Sequence, residues 1–282
     1  MLKWYGYLGL ILILLTEANF YAKIQPFADW YVVIVWIGYI LLVDSLVYMV
    51  KGKSLITHYP TEFAFLLFLS VPFWLIFEFY NLFTVSWIYT NYLWYVHPFD
   101  FATIMPAVLE TFTLVNAVGL WKGLDKARKK VSGAVARRWN SQFYRNMIKL
   151  LAAIGAFAVV VPIIFPAIGF PFMWFGLFLL LDPLNYLVGR PSVIRRAAQG
   201  YWSIVPRLFL SGVIMGFFWE LWNYQAYPQW HYNIAVVFAG TKLFEMPILG
   251  YLGYMPFAME VFLFFALFRS FIFKKGNGLL SI

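Results

Sequence analysis

Apolar runs close to twenty residues long recur along this chain, and the short stretches between them hold most of its charge. A helical run of that length, rising about 1.5 Å per residue, matches the hydrocarbon thickness of a bilayer. The pattern predicts about eight helices, over 4–21, 30–50, 63–86, 101–121, 148–167, 171–188, 205–227 and 252–273. Only Pro166, Gly169 and Pro171 interrupt the fifth and sixth, and they predict a tight turn. The segment 233–253 reads either as a loop or as a re-entrant piece buried in protein. The runs are continuous rather than alternating, which excludes a β-barrel. The fold class is therefore all-α, a polytopic membrane protein.

The polar positions inside these runs repeat. Glu78 and Asn81, Trp87 and Tyr89, then Met105-Pro106 ahead of Glu110 recur as Glu220 and Asn223, Trp230 and Tyr232, then Met255-Pro256 ahead of Glu260. The segment LLVDSLVYMVKGKSLI at 41–56 matches LLLDPLNYLVGRPSVI at 179–194, which pairs Asp44 with Asp182 at an offset of 138 (182 − 44). The offset grows to 142 for Glu78 and Glu220 and to 150 for Glu110 and Glu260, as insertions confined to loops would produce. These matches predict two tandem four-helix units, 1–121 and 148–282, joined by a basic cytoplasmic linker at 122–147. Four helices separate equivalent positions, so the units have parallel orientation and an axis along the membrane normal.

Composition agrees: 63% of residues are hydrophobic, 12% are charged and the mean hydropathy is +0.76. The net charge of +9 would suggest nucleic acid in a soluble protein, but in a membrane protein it first reports orientation. Every Lys and Arg except Lys23 and Lys242 lies in or beside the N-terminus, the second, fourth and sixth loops or the C-terminus. Both termini are then cytoplasmic, in the cell inner membrane, and no nucleic-acid partner is expected. Lys3 ahead of the apolar run 4–15 looks like a signal peptide, but no Ala-x-Ala site follows and Glu17 interrupts its end. An uncleaved first helix is expected. The linker interleaves Arg128, Lys129, Lys130, Arg137 and Arg138 with Trp139 and Phe143. It reads as an amphipathic segment on anionic lipid, or as a topology signal alone.

Cysteine is absent, which excludes disulfides, thiolate chemistry and Cys-ligated metals. His58, His97 and His231 stand at non-equivalent positions with no Glu-x-x-His spacing, so no metal site is expected. There is no phosphate loop and no nucleophile elbow, and no cofactor is expected.

The candidate chemistry lies in the carboxylates. A charge at a helix centre costs roughly 2.5–3.5 kcal/mol on insertion scales, so these groups should turn inward against partners. Glu78 with Asn81, and Glu220 with Asn223, project from one helix face at i, i+3. Gly212 and Gly216 lie on the Glu220 stripe and invite close approach of the helix carrying Glu260. Glu78, Glu110, Glu220 and Glu260 are the candidate catalytic residues, expected at similar depth in the extracytoplasmic half with Glu17 beside them. Asn81, Asn223, Trp87, Tyr89, Trp219, Trp230 and Tyr232 are the candidate substrate-binding residues. Asp44 and Asp182 form a separate inner pair. The plain structural alternative is that all of these are interhelical hydrogen-bond partners.

Three readings of function follow. One is acid–base chemistry on a lipophilic small molecule, with aromatic walls stabilising a carbocation. The others are a proton- or ion-coupled transporter and a non-catalytic subunit of a larger membrane complex. The order Trp219-Glu220, Trp230-x-Tyr232, Pro256 and Glu260 with Phe264-Phe265 resembles the bacterial and archaeal lycopene-cyclase domain. The resemblance covers the last three helices of each half. It implies cofactor-independent cyclisation of an isoprenoid in carotenoid biosynthesis, with Glu260 and Glu110 as candidate acids. Here three residues separate Pro256 from Glu260, the paired Glu-Glu is missing and each half has an additional helix.

Overall fold

The computed structural model describes residues 1–119, 121, 142–234 and 240–273. Most of the basic linker, and so its expected contact with anionic lipid, lies outside them. Among the described residues, eight helices are long and apolar enough to cross a membrane.

In chain order the elements are α1 (Trp4–Ala22), α2 (Tyr31–Lys51), the single turn α3 (Leu55–His58), α4 (Pro60–Thr84), β1 (Trp87–Thr90) and α5 (His97–Ala117). Then follow α6 (Gln142–Ala158), the short α7 (Val161–Ile164), α8 (Pro166–Leu187), α9 (Val193–Ala198), α10 (Ile204–Gln225) and β2 (Gln229–Tyr232). A hairpin of β3 (Lys242–Leu243) and β4 (Met246–Pro247) leads through a 3-10 turn, Ile248–Gly253, into α11 (Tyr254–Ile272). The segment 233–253, where described, thus consists of this hairpin and the 3-10 turn, and the turn belongs to the apolar run of the eighth spanning segment.

The expected turn between the fifth and sixth helices needs correction. The chain breaks earlier, around α7, and Gly169 and Pro171 lie inside α8. Pro166 opens α8, where the missing N–H leaves no helical bond unmade.

Helices α1 and α6 pack on the outside, against α2 and α8 respectively. At the first of these contacts a Cβ on Gly9 would meet the Gly38 carbonyl oxygen at 2.5 Å, so only glycine permits that crossing. The centre is α5, with 78% of its apolar window buried against 28% for α1. It packs on α2 and α4, while α11 packs on α8 and α10. Contacts between the two groups run from α10 to α5 and α2, and from α4 to α8 and α11. Aromatic pairs fill this seam: Trp74 with Trp219 at 5.2 Å, Phe77 with Trp174 at 5.3 Å and Trp36 with Trp222 at 4.7 Å between ring centroids. A buried ion pair between Glu62 of α4 and Arg269 of α11 ties the same seam nearer its other end.

Candidate functional site

The site begins with two asparagines that each fix a strand. Asn81 donates from Nδ2 to the Trp87 carbonyl at 2.9 Å and accepts the Trp87 N–H at 3.1 Å. Asn223 does the same to Trp230, both distances being 2.9 Å. A primary amide has one donor end and one acceptor end, so it satisfies both backbone groups of a single residue. The chain thus turns back from α4 and α10 with the following Trp held over the helix end.

The two held segments pair as the antiparallel strands β1 and β2. Trp87 faces Tyr232, Ile88 faces His231 and Tyr89 faces Trp230. Side chains alternate along a strand, so the Trp and Tyr of each point inward while Ile88 and His231 point away. This ribbon covers one end of the aromatic seam.

Beneath it, Glu78 Oε1 accepts the Tyr89 hydroxyl at 2.5 Å, the Trp74 indole N–H at 2.8 Å and the Trp87 indole N–H at 3.3 Å. Glu220 Oε1 accepts the Tyr232 hydroxyl at 2.6 Å and the Tyr254 hydroxyl, while Trp230 Nε1 donates to the Tyr232 oxygen at 3.0 Å. The two arrangements differ where sequence differs. Position 216 (74 + 142) is Gly where its counterpart is Trp74, and the Tyr254 ring takes that space, with a Gly216 Cβ falling 2.3 Å from it. Gly212 likewise lies against the Tyr254 carbonyl, so the α10 glycines do receive the helix that carries Glu260.

These groups surround a cavity lined by Trp74, Trp87, Trp174, Trp219, Trp230 and Phe257, with Tyr89, Tyr232, Tyr254 and Asp100 supplying its polar atoms. The cavity measures about 20 Å³, room for about one water. Burial, and next the carboxylate each faces, hold the Tyr89 and Tyr232 phenols well above the ordinary tyrosine range. Both are neutral hydroxyl donors at neutral pH. Tyr92 donates to Asp100 at 3.2 Å and stacks on His97 at 4.6 Å, extending the polar edge along the start of α5. Among the described residues no three His, Asp or Glu side chains gather as a metal ion would need.

The four candidate glutamates differ in their surroundings. Glu110 lies 13 residues into α5 (110 − 97), about 20 Å from its start at 1.5 Å per residue, whereas Glu78 is only six residues from the end of α4 (84 − 78). Glu110 is fully buried with no hydrogen-bond partner on either oxygen, and the ionisable group bearing on it is Asp44. Glu260 accepts the Phe178 N–H at 3.2 Å, midway along α8. None of the four glutamates lines the cavity itself; Glu78 and Glu220 connect to it through Tyr89, Tyr232 and Tyr254. For Glu110 the reason is depth, since α5 starts four residues before the apolar run suggests; Glu260, only six residues into α11 (260 − 254), is instead engaged by the Phe178 N–H of α8. Asp44 and Asp182 hold corresponding places in the two halves, each bonded to the segment that follows its helix. Asp44 takes the Tyr5 and Ser54 hydroxyls at 2.7 and 2.8 Å and the Ile56 N–H at 2.9 Å. Asp182 takes the Val193 and Ile194 N–H groups at 2.7 and 3.0 Å. Each satisfies the open amides of the short helix that follows it, α3 or α9. Glu17 stands apart, accepting the Trp222 indole N–H at 2.8 Å.

Five lining residues escaped the sequence reading. Trp74 stands one turn before Glu78 at i, i+4, a spacing that would have found it. Tyr254 sits opposite the α10 glycines, which had signalled a close neighbour without naming it. Asp100, with nine-tenths of its surface buried, passes for a solvated loop acid in the run Pro98-Phe99-Asp100. Trp174 and Phe257 carry no polar signal at all. No protein-family model, curated protein or solved structure matches this chain, so the site stands on its geometry.

Proposed function

We propose that this multi-pass membrane protein is an enzyme that applies acid–base chemistry to the unsaturated group of a lipophilic substrate. The observation that carries the reading is the cavity itself: six apolar aromatic rings around phenols that are hydrogen-bonded to half-buried Glu78 and to fully buried Glu220. Proton transfer to an alkene carbon leaves a carbocation, and Trp faces attract a cation more strongly than other aromatic rings do. Loss of a neighbouring proton to the same carboxyl–phenol group restores the acid and yields an isomer or a ring. No cofactor enters this scheme.

Glu78, Glu220 and Asp100 are the acids in this proposal, with Tyr89, Tyr232 and Tyr254 as the hydroxyls between them and the cavity. The lycopene-cyclase resemblance favours Glu110 and Glu260, but neither hydrogen-bonds a residue that lines the cavity: Glu260 accepts the Phe178 N–H and Glu110 has no hydrogen-bond partner. In its closed form the cavity admits no polyene, so substrate entry requires the β1–β2 ribbon to lift.

The architecture we propose is two tandem parallel four-helix units related by an axis along the membrane normal. It is supported by the matched Asn81 and Asn223 clamps and by the register that sets Ile88 opposite His231, the middle residues of the two Trp-x-Tyr motifs. Both termini are placed in the cytoplasm by the positive-inside rule, in the inner membrane. A proton- or ion-coupled transporter is the second reading, favoured by Glu110, a fully buried carboxyl with no hydrogen-bond partner on either oxygen.

Mass spectrometry of lipophilic molecules that co-purify with wild type, Glu78→Gln and Glu220→Gln tests the enzyme reading. The proposal expects a bound isoprenoid or lipid whose identity or amount changes in both variants. Identical bound species in all three proteins would contradict it.

A further inference from the structure

A second site lies where α1 ends. A polar cavity of about 260 Å³ is lined there by Asn19, Lys23, Tyr31, Asn91, Gln225 and Gln229, among others. Asn19 also lines an apolar cavity of about 460 Å³ with Leu12, Leu15, Ile24, Phe27 and Ile34. Asn19 is the hinge between the two: its amide donates to the Ile24 carbonyl at 3.3 Å and accepts the Ile24 N–H at 2.8 Å. Lys23 is fixed in the left-handed region at φ 50, its N–H bonded to the Asn19 carbonyl at 2.8 Å. A non-glycine residue held there marks a local constraint.

Lys23 is one of two cations outside the basic loops. The other, Lys242, reaches Glu245 at 3.9 Å, but among the described residues Lys23 makes no ion pair. The carboxylate on its own helix, Glu17, is taken by the Trp222 indole. We propose that this junction binds one anionic, hydroxyl-bearing glycerophospholipid. Its phosphate lies on Lys23, its headgroup hydroxyls on the surrounding amides and one acyl chain in the apolar cavity. A cation among neutral amides in a polar cavity that shares Asn19 with an apolar one matches the order of groups along such a lipid. This site is separate from the aromatic cavity and holds whether or not the protein is an enzyme.

The test is native mass spectrometry of protein released from nanodiscs holding equal phosphatidylglycerol and phosphatidylcholine. Wild type should retain one phosphatidylglycerol. Lys23→Ala should lower that retention about tenfold, as loss of one charge-assisted contact implies. Lys23→Arg should keep it, and Leu15→Trp, which fills the apolar cavity, should lower it. Equal retention of both lipids, or unchanged retention in Lys23→Ala, would overturn the proposal.

Discussion

Replacing Asn223 by Ala isolates the clamp that holds β2 over the cavity. Asn223 is fully buried and Trp230 is 5% exposed, so removing the amide leaves the Trp230 N–H and carbonyl without their partner and shut from water. Each buried unsatisfied backbone group costs about 1–3 kcal/mol, and two of them together are expected to cost about 2–4 kcal/mol after local relaxation. At about 2–4 °C per kcal/mol for a chain this large, Tm falls by roughly 5–15 °C. Thermal unfolding in detergent, followed by Trp fluorescence, measures this. Asn223→Asp should lose nearly as much, since a carboxylate can accept the N–H but opposes the carbonyl. Asn81→Ala should lose less, because Asn81 is only half-buried. If Asn223→Ala unfolds within about 1 °C of wild type, the clamp contributes nothing and the reasoning from buried amide pairing is wrong.

Two more outcomes follow from the same geometry. Gly216→Ala places a Cβ 2.3 Å from the Tyr254 ring and should displace its hydroxyl from Glu220, at a cost of about 1–3 kcal/mol in the same melt; Gly240→Ala, with nothing within 4 Å, is the neutral control. The Tyr89, Tyr92 and Tyr232 phenols have folded values raised above the unfolded value near 10, first by burial. Their stabilisation is whole below that unfolded value and is lost as pH rises beyond it, because the unfolded chain gives up its protons first. Tyrosinate absorbance should therefore lag behind that of a Tyr peptide until the protein unfolds at alkaline pH, and normal titration of all tyrosines would contradict their burial.

The apolar runs were enough to find the eight helices, because bilayer-length hydrophobicity leaves a chain little choice but to form them. The Glu-x-x-Asn and Trp-x-Tyr spacings were enough to pick out Glu78, Asn81, Glu220 and Asn223 together with the ribbon residues. Depth was not legible. Whether Glu110 sits beside Glu78 or beside Asp44 depends on where α5 begins, and four residues of helix shift a side chain by about 6 Å and through a full turn. The partners of the carboxylates were legible only where they lay on the same helix, as Trp74 does with Glu78. Tyr254 is 34 residues from Glu220 and reaches it only because two glycines let α11 approach.

The two Trp-x-Tyr segments meet in register over one cavity. The chain has no cysteine, so a paired substitution, Ile88→Cys with His231→Cys, reports on that contact against a silent background. Directly opposed residues of an antiparallel pair have Cα atoms about 4.5–5.5 Å apart, within disulfide range. Mild oxidation of the membrane-embedded protein should give a fast, near-complete intramolecular disulfide, seen as a mobility shift reversed by reductant. The offset pair Ile88→Cys with Gln229→Cys should react more slowly. No intramolecular bond, or one formed as readily at the offset pair, would contradict the account.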